Sequence, residues 1–286
     1  MNDTIPAPPP RAARIHPCSR AEYDAIDATR YSALSHMATS PLAYRHALDV
    51  PREATAAMVL GSAAHALTLG TEADDLAIFY GEARRGKAWD AFEAANAGRT
   101  IVKESELTTA RAIADAVHRD RRARNMLALC RSEVAVTWTH DDGRPCKSRL
   151  DALGYAGGGV PWAGPARIVE LKTTRRIEAF PREAAARMYH AQLAYYAHGV
   201  ALATGQAPDV HMVAVSNVAP HDVIVYRVTP ATLAKGWALC TAWLARLAEC
   251  ERLQSWPGVA NGEEQELDVP DHGDASLTLD GEDVTP

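Results

Sequence analysis

Two periods of apolar residues run through this chain, and each predicts a different kind of element. The segment Ala166-Arg-Ile-Val-Glu-Leu-Lys-Thr-Thr174 reads as a core strand with a carboxylate and an ammonium two residues apart, at Glu170 and Lys172. Side chains alternate across a strand, so Glu170 and Lys172 project from one face while Val169 and Leu171 project from the other. Upstream, Lys147-Ser-Arg-Leu-Asp-Ala-Leu153 reads as a second strand. The turn-forming run Gly154 to Pro165 joins the two as a hairpin-like pair. Glu133 to Trp138 alternates as a strand and enters the Lys147 strand through Asp142-Gly143, and further strands are predicted near Val210 to Ser216 and Val223 to Val228. Helical patterns cover Thr55 to Leu69, a stretch ending at Asn96, Thr108 to Cys130, Pro181 to Thr204 and Pro230 to Leu253. Ser19-Arg-Ala-Glu22 has the build of a capping box that opens a short helix. Phe79 to Trp89 reads as a strand and a basic loop, suited equally to phosphate contact or to plain solvation. The sum is an α/β fold with a mixed central sheet flanked by helices.

Composition agrees with one enzyme-sized domain plus tails. At 286 residues and 47% hydrophobic, the chain can bury a sizeable core. No apolar run approaches membrane-spanning length, and the N-terminus lacks the charged-then-apolar build of a signal peptide, so a cytoplasmic protein with no membrane partner is expected. Five cysteines, an odd number with no C-x-x-C pair, indicate neither a disulfide framework nor a zinc site. The net charge of −6 divides unevenly: nine carboxylates and no Lys or Arg follow Arg252, leaving 30 basic against 27 acidic residues before that point. The expected organisation is a disordered segment over residues 1–20, a domain over 21–256 and an acidic, disordered tail over 257–286.

Charged side chains are seldom fully buried without a partner, so Glu170 and Lys172 at the end of a core strand point to a metal or a polarised substrate. If the two central strands lie side by side, Asp151 and Glu170 offer hard oxygen ligands suited to Mg²⁺ or Mn²⁺, while Lys172 faces a developing oxyanion. Two acids and an amine so arranged suit the cutting of phosphodiesters.

Asp151 followed at a distance by Glu170-x-Lys172 resembles the PD-(D/E)XK nuclease superfamily. Three more segments narrow the likeness. Gly61-Ser-Ala-Ala-His65 looks like the Gly-x-x-x-His helix of the RecB-like, lambda-exonuclease-like and RecE-like branches. Gln192-Leu-Ala-Tyr-Tyr196 is similar to their Gln-x-x-x-Tyr helix. Tyr31-Ser-Ala-Leu through Ser40-Pro41-Leu-Ala-Tyr44 resembles the opening of RecE-type exonuclease VIII domains. Each segment alone has a plain structural reading: a solvated strand edge, a turn former or ion-pair partner at Asp151, a packed helical His, ordinary helix packing. Those readings do not explain why all four occur in the family's order.

The resemblance implies a restriction-endonuclease-like core. It implies one or two Mg²⁺ ions, with Mn²⁺ able to substitute, held by His65, Asp151, Glu170 and the Leu171 main-chain carbonyl. Lys172 would position or deprotonate the attacking water, with Glu170 and Asp151 as the catalytic acids. Gln192 and Tyr196 would orient DNA or brace the site, Arg45 would take a 5′-phosphate, and Glu133 would add a carboxylate, although an edge-strand charge explains Glu133 as well. The late cysteine trio of iron-sulfur relatives is absent, so no Fe-S cluster is expected. By the same likeness the activity is 5′→3′ exonuclease action on double-stranded DNA ends in phage or prophage recombination. It would be carried out by a homo-oligomeric ring, trimer or tetramer, that hands single-stranded DNA to an annealing protein. An endonuclease, a 3′→5′ enzyme or a non-catalytic DNA-binding scaffold are the alternatives.

Overall fold

The computed structural model describes residues 13–50, 54–71, 75–81, 83–155 and 165–267, together with the backbone of 277–279 and 282–284. In chain order the strands are β1 (Arg14–Pro17), β2 (Thr29–Arg30), β3 (Leu76–Phe79), β4 (Thr100–Lys103), β5 (Cys130–Thr139), β6 (Pro145–Tyr155), β7 (Ala166–Thr174), β8 (Asp209–Ser216), β9 (Val223–Arg227), β10 (Leu277–Leu279) and β11 (Glu282–Val284). The helices that matter below are α1 (Arg20–Ala25), α2 (Tyr31–Leu34), α3 (Pro41–Asp49), α4 (Ala56–Leu69), α5 (Lys87–Ala95), α6 (Glu104–Arg119), α7 (Arg121–Leu127), α8 (Phe180–Ala186), α9 (Tyr189–Thr204) and α10 (Pro230–Leu253).

A seven-stranded sheet runs β1-β5-β6-β7-β8-β9, with β2 added parallel to β6. Only β7 and β8 among the long neighbours are parallel, so the sheet is mixed as the pattern predicts. Alternation along β7 divides the interior. Ile168 faces a core built with Trp138, Leu150, Tyr195, Trp243 and Leu247, under α9 and α10. Val169 and Leu171 face the second core, with Ala63, Ala64, Ile113 and Val117, under α4 and α6. Each buried Val, Leu or Ile side chain among these contributes roughly 1.5–3 kcal/mol over its exposed state, so burial of apolar area holds both layers to the sheet. The helix pair α9 and α10 packs closely because residue 236 is glycine: a Cβ there would lie 2.2 Å from the His190 carbonyl oxygen.

Several expectations are corrected. The segment through residue 20, expected to lack structure, contains β1, which pairs antiparallel with β5 from Arg14↔Thr137 to Pro17↔Val134. Four residues show little alternation, and the partner lies far along the chain. The helix expected over Thr108 to Cys130 starts at Glu104 and divides at Asp120, whose extended backbone ends α6 while its carboxylate caps α7 through Ala123 N–H at 2.7 Å. The helix expected over Pro181 to Thr204 breaks at Met188, which adopts a left-handed conformation. The capping box at Ser19 and Glu22 is present. Within the tail expected to be disordered, β10 and β11 pair antiparallel. No helix among the described residues is long and apolar enough to cross a membrane.

Candidate active site

The site forms where the sheet opens. The ladder between β6 and β7 ends at Ala152↔Val169, yet β7 continues beside β8 to Thr174↔Ser216. Just past the last rung, the carboxylate of Asp151 takes the place of a strand: its Oδ2 accepts a hydrogen bond from Leu171 N–H at 2.8 Å. The N–H and C=O of one strand residue point to the same side, so the Leu171 carbonyl faces this same opening. The carbonyl expected as a ligand is therefore aimed where the acids are.

Helix α4 brings in the imidazole. A Cβ at Gly61 would touch Thr173 Oγ1 at 3.4 Å, so glycine lets this helix lie close on β7. One turn on, His65 Nδ1 sits 3.5 Å from Asp151 Oδ2. Burial by itself would depress the His65 pKa, but the charge and hydrogen bond of Asp151 outweigh it and raise the imidazole above its usual value. For Asp151, burial pushes upward, and His65, Lys172 and the Leu171 N–H together hold the acid below the usual carboxylate range.

Glu170 and Lys172 share one face of β7 as alternation requires, with Lys172 Nζ 2.7 Å from Glu170 Oε1. Glu170 is only 2% exposed. Burial first, then the neighbouring charge of Asp151, push its carboxyl up to about 7, partly offset by Lys172. Burial would lower the Lys172 ammonium, and the two acids reverse that and raise it. From α9, Gln192 Nε2 donates to the same Glu170 Oε1 at 2.9 Å and lies 2.8 Å from Tyr196 Oη. Gln192 thus touches both the acid and the tyrosine.

The other oxygen, Glu170 Oε2, is buried and has no hydrogen-bond partner. A buried anionic oxygen without a donor is expensive, and it is the kind of atom a cation satisfies. Two carboxylates, a main-chain carbonyl and an imidazole form a donor set that fits Mg²⁺ or Mn²⁺. The side chains stand as two pairs, His65 with Asp151 and Glu170 with Lys172, and among the described residues no three His, Cys, Asp or Glu side chains are already gathered as a metal cluster.

His65 lines two cavities at once. One, of about 350 Å³, also holds Asp151, Tyr196, Arg30, Glu133 and Arg149. The other, of about 1270 Å³, is strongly basic, with Lys172, Arg175, Arg176, Arg182 and Arg187 in its wall. Glu133 lies in the first cavity, paired with Arg149 at 2.9 Å, and its backbone takes φ 55°, a strained value for a non-glycine residue in a strand. Burial and Asp151 raise its carboxyl to about 7. Arg45 is not brought to the site: its guanidinium lies 5.1 Å from the Trp256 ring centroid, beside Tyr44 stacked on the same indole. Among the arginines at the cavities, Arg30, Arg149, Arg175, Arg176, Arg182 and Arg187 belong to none of the motifs that the sequence presents. The pair Arg175-Arg176, directly after the Glu170 strand, was the available signal.

The solved structures include a match to the crystal structure of a "putative exonuclease" from Eubacterium rectale. It has a TM-score of 0.59 and 15% identity, and the match covers 89% of this chain and 96% of that one, a likeness of fold. No curated protein matches the sequence. Residues 29–266 match the family described as "PDDEXK-like domain of unknown function", a span that holds the opened sheet, His65, Asp151, Glu170 and Lys172. The chain belongs to this PDDEXK-like family, DUF3799.

Proposed function

We propose that this protein is a divalent-metal-dependent deoxyribonuclease that degrades linear duplex DNA from its 5′ ends. The observation that carries the reading is the unpartnered, buried Glu170 Oε2 beside Asp151 and Lys172, at the head of a basic groove. Asp151, Glu170, His65 and the Leu171 carbonyl would hold the cation, which when bound supplies an activated water and neutralises charge on the phosphoryl oxygens. Lys172 lies on the groove side of Glu170 and serves to orient the water and to stabilise negative charge as the phosphate is attacked. Gln192 holds Glu170 through Oε1, which leaves Oε2 available to the cation. The 5′ polarity, the ring-shaped oligomer and the annealing partner extend the reading by family resemblance.

The deciding assay uses linear duplex labelled at either end, with and without a 5′-phosphate, in Mg²⁺ and in chelator. Metal-dependent release from the 5′ end is the expected result. Release from the 3′ end or cutting of closed circles would overturn the polarity, and no cleavage with any metal would overturn the reading. The groove makes a separate forecast. Arg175→Ala combined with Arg176→Ala should weaken DNA binding regardless of sequence and reduce the slope of log K against log salt by about two, since each phosphate contact contributes close to one. An unchanged slope in a salt titration would place the DNA elsewhere.

A further inference from the structure

One turn of α9 does more than hold Gln192. Tyr189, three residues earlier on the same helical face, presents its ring to Lys172, whose Nζ lies 4.9 Å from the ring centroid. The first turn of this helix therefore grips both halves of the Glu170–Lys172 pair: the amide of Gln192 holds the acid and the aromatic face of Tyr189 holds the amine. The helix begins there because the chain breaks at Met188, with φ 53° and ψ 36°. A left-handed methionine persists only where its surroundings over-determine it. Here the Met188 carbonyl oxygen accepts three hydrogen bonds, from Tyr31 Oη at 2.8 Å, Ala191 N–H at 3.0 Å and Gln192 N–H at 3.2 Å. Tyr31 is itself fixed between Tyr195 and Trp243 in the core. Tyr189 and Lys172 both line the basic groove, so the ring and the ammonium it faces share one wall of it.

We propose that Tyr189 is the positioning residue for Lys172, set in place by the Tyr31 hydroxyl through the strained turn at Met188. This rests on the nuclease reading for its kinetic consequence, though not for its geometry. The lysine stem is long and flexible, and the ring face confines the ammonium to the position it shares with Glu170. The attraction comes from the ring and not from the hydroxyl, which separates this role from hydrogen bonding. Tyr31→Phe removes the clamp while leaving the core packing, so it tests the same device from the far side.

The experiment compares Tyr189→Phe, Tyr189→Leu and Tyr31→Phe with the full-length protein in single-turnover cleavage, with thermal unfolding as a control for folding. Lys172 ε-methylene shifts are read by NMR and assigned through their loss in Lys172→Ala. Tyr189→Phe should keep the maximal single-turnover rate constant within twofold. Tyr189→Leu should lower it about tenfold with the half-saturating concentration unchanged. The ring current should place the Lys172 ε-methylene signal upfield in the parent and in Tyr189→Phe, and at its ordinary position in Tyr189→Leu. Tyr31→Phe should fall between the two in both readouts. Full activity in a folded Tyr189→Leu, equal loss in Tyr189→Phe, or an unmoved methylene signal would each overturn the proposal. If the parent cleaves nothing, the nuclease reading fails and the methylene shift still decides whether Tyr189 positions the lysine.

Discussion

Lys172→Ala is expected to reduce cleavage about 10³-fold, within the 10²–10⁴ range typical of a positioned acid–base group, while DNA binding stays within a few-fold of the parent. The separation follows from where the charges lie. In the proposed reading binding draws on Arg175, Arg176, Arg182 and Arg187 along the groove, and none of these changes. The proposed chemistry draws on the one ammonium held 2.7 Å from Glu170. Lys172→Arg should not rescue, because a planar guanidinium cannot occupy the compact position of an ammonium that sits on a tyrosine face and a carboxylate together. Removing one member of a buried pair also costs stability, so thermal unfolding must accompany the assay, although Gln192 continues to satisfy Glu170 Oε1. Single-turnover cleavage within tenfold of the parent, in a folded variant, would remove Lys172 from the proposed chemistry.

What the sequence made legible at this site is what local geometry dictates. Glu170 and Lys172 share a face because any strand alternates, and Gln192 and Tyr196 meet because helical residues four apart do. His65 follows from a helix with a glycine one turn earlier, which allows close approach to β7. What stayed hidden depends on partners remote in sequence. β1 exists because β5 is beside it, and Thr100–Lys103 is a strand because it pairs parallel with Leu76–Phe79. Tyr189 could not be assigned because the helix break that aims it is held by Tyr31, far upstream. Arg45 follows directly on the Ser40-Pro41-Leu-Ala-Tyr44 segment, which suggests a place at the site, whereas its cationic plane has a better neighbour in Trp256, just beyond α10. Proximity in sequence predicted the backbone there and not the side chain's destination.

The same buried acid governs how the metal-free protein should respond to pH. Glu170 has a folded-state pKa of about 7 against an ordinary value of 4.5. A carboxyl raised on folding binds its proton more tightly in the native state. Its contribution to stability is therefore complete below pH 4.5 and is lost as pH climbs to 7. The loss is on the order of 3 kcal/mol when the shift is converted at 1.36 kcal/mol per unit. His65, also raised, acts in the same direction above its usual pKa, whereas Asp151, held low, adds stability that disappears only in strong acid. In chelator, the thermal midpoint should fall between pH 5 and pH 8. Adding Mn²⁺ or Mg²⁺ at pH 8 should reverse the fall, since a cation replaces the proton on Glu170 and stabilises by about 2.7 kcal/mol at a hundredfold excess over Kd. Below pH 7 the proton competes, and apparent metal affinity should drop about tenfold per unit of pH. Glu170→Gln keeps the hydrogen bond from Lys172 but carries no titrating acid. It should lose cleavage, lose the metal-induced rise in midpoint, and show a flatter midpoint between pH 5 and pH 8 in chelator. A Glu170→Gln protein that still gains stability from Mn²⁺ would place the cation away from the opening between β6 and β7, and with it the proposed chemistry.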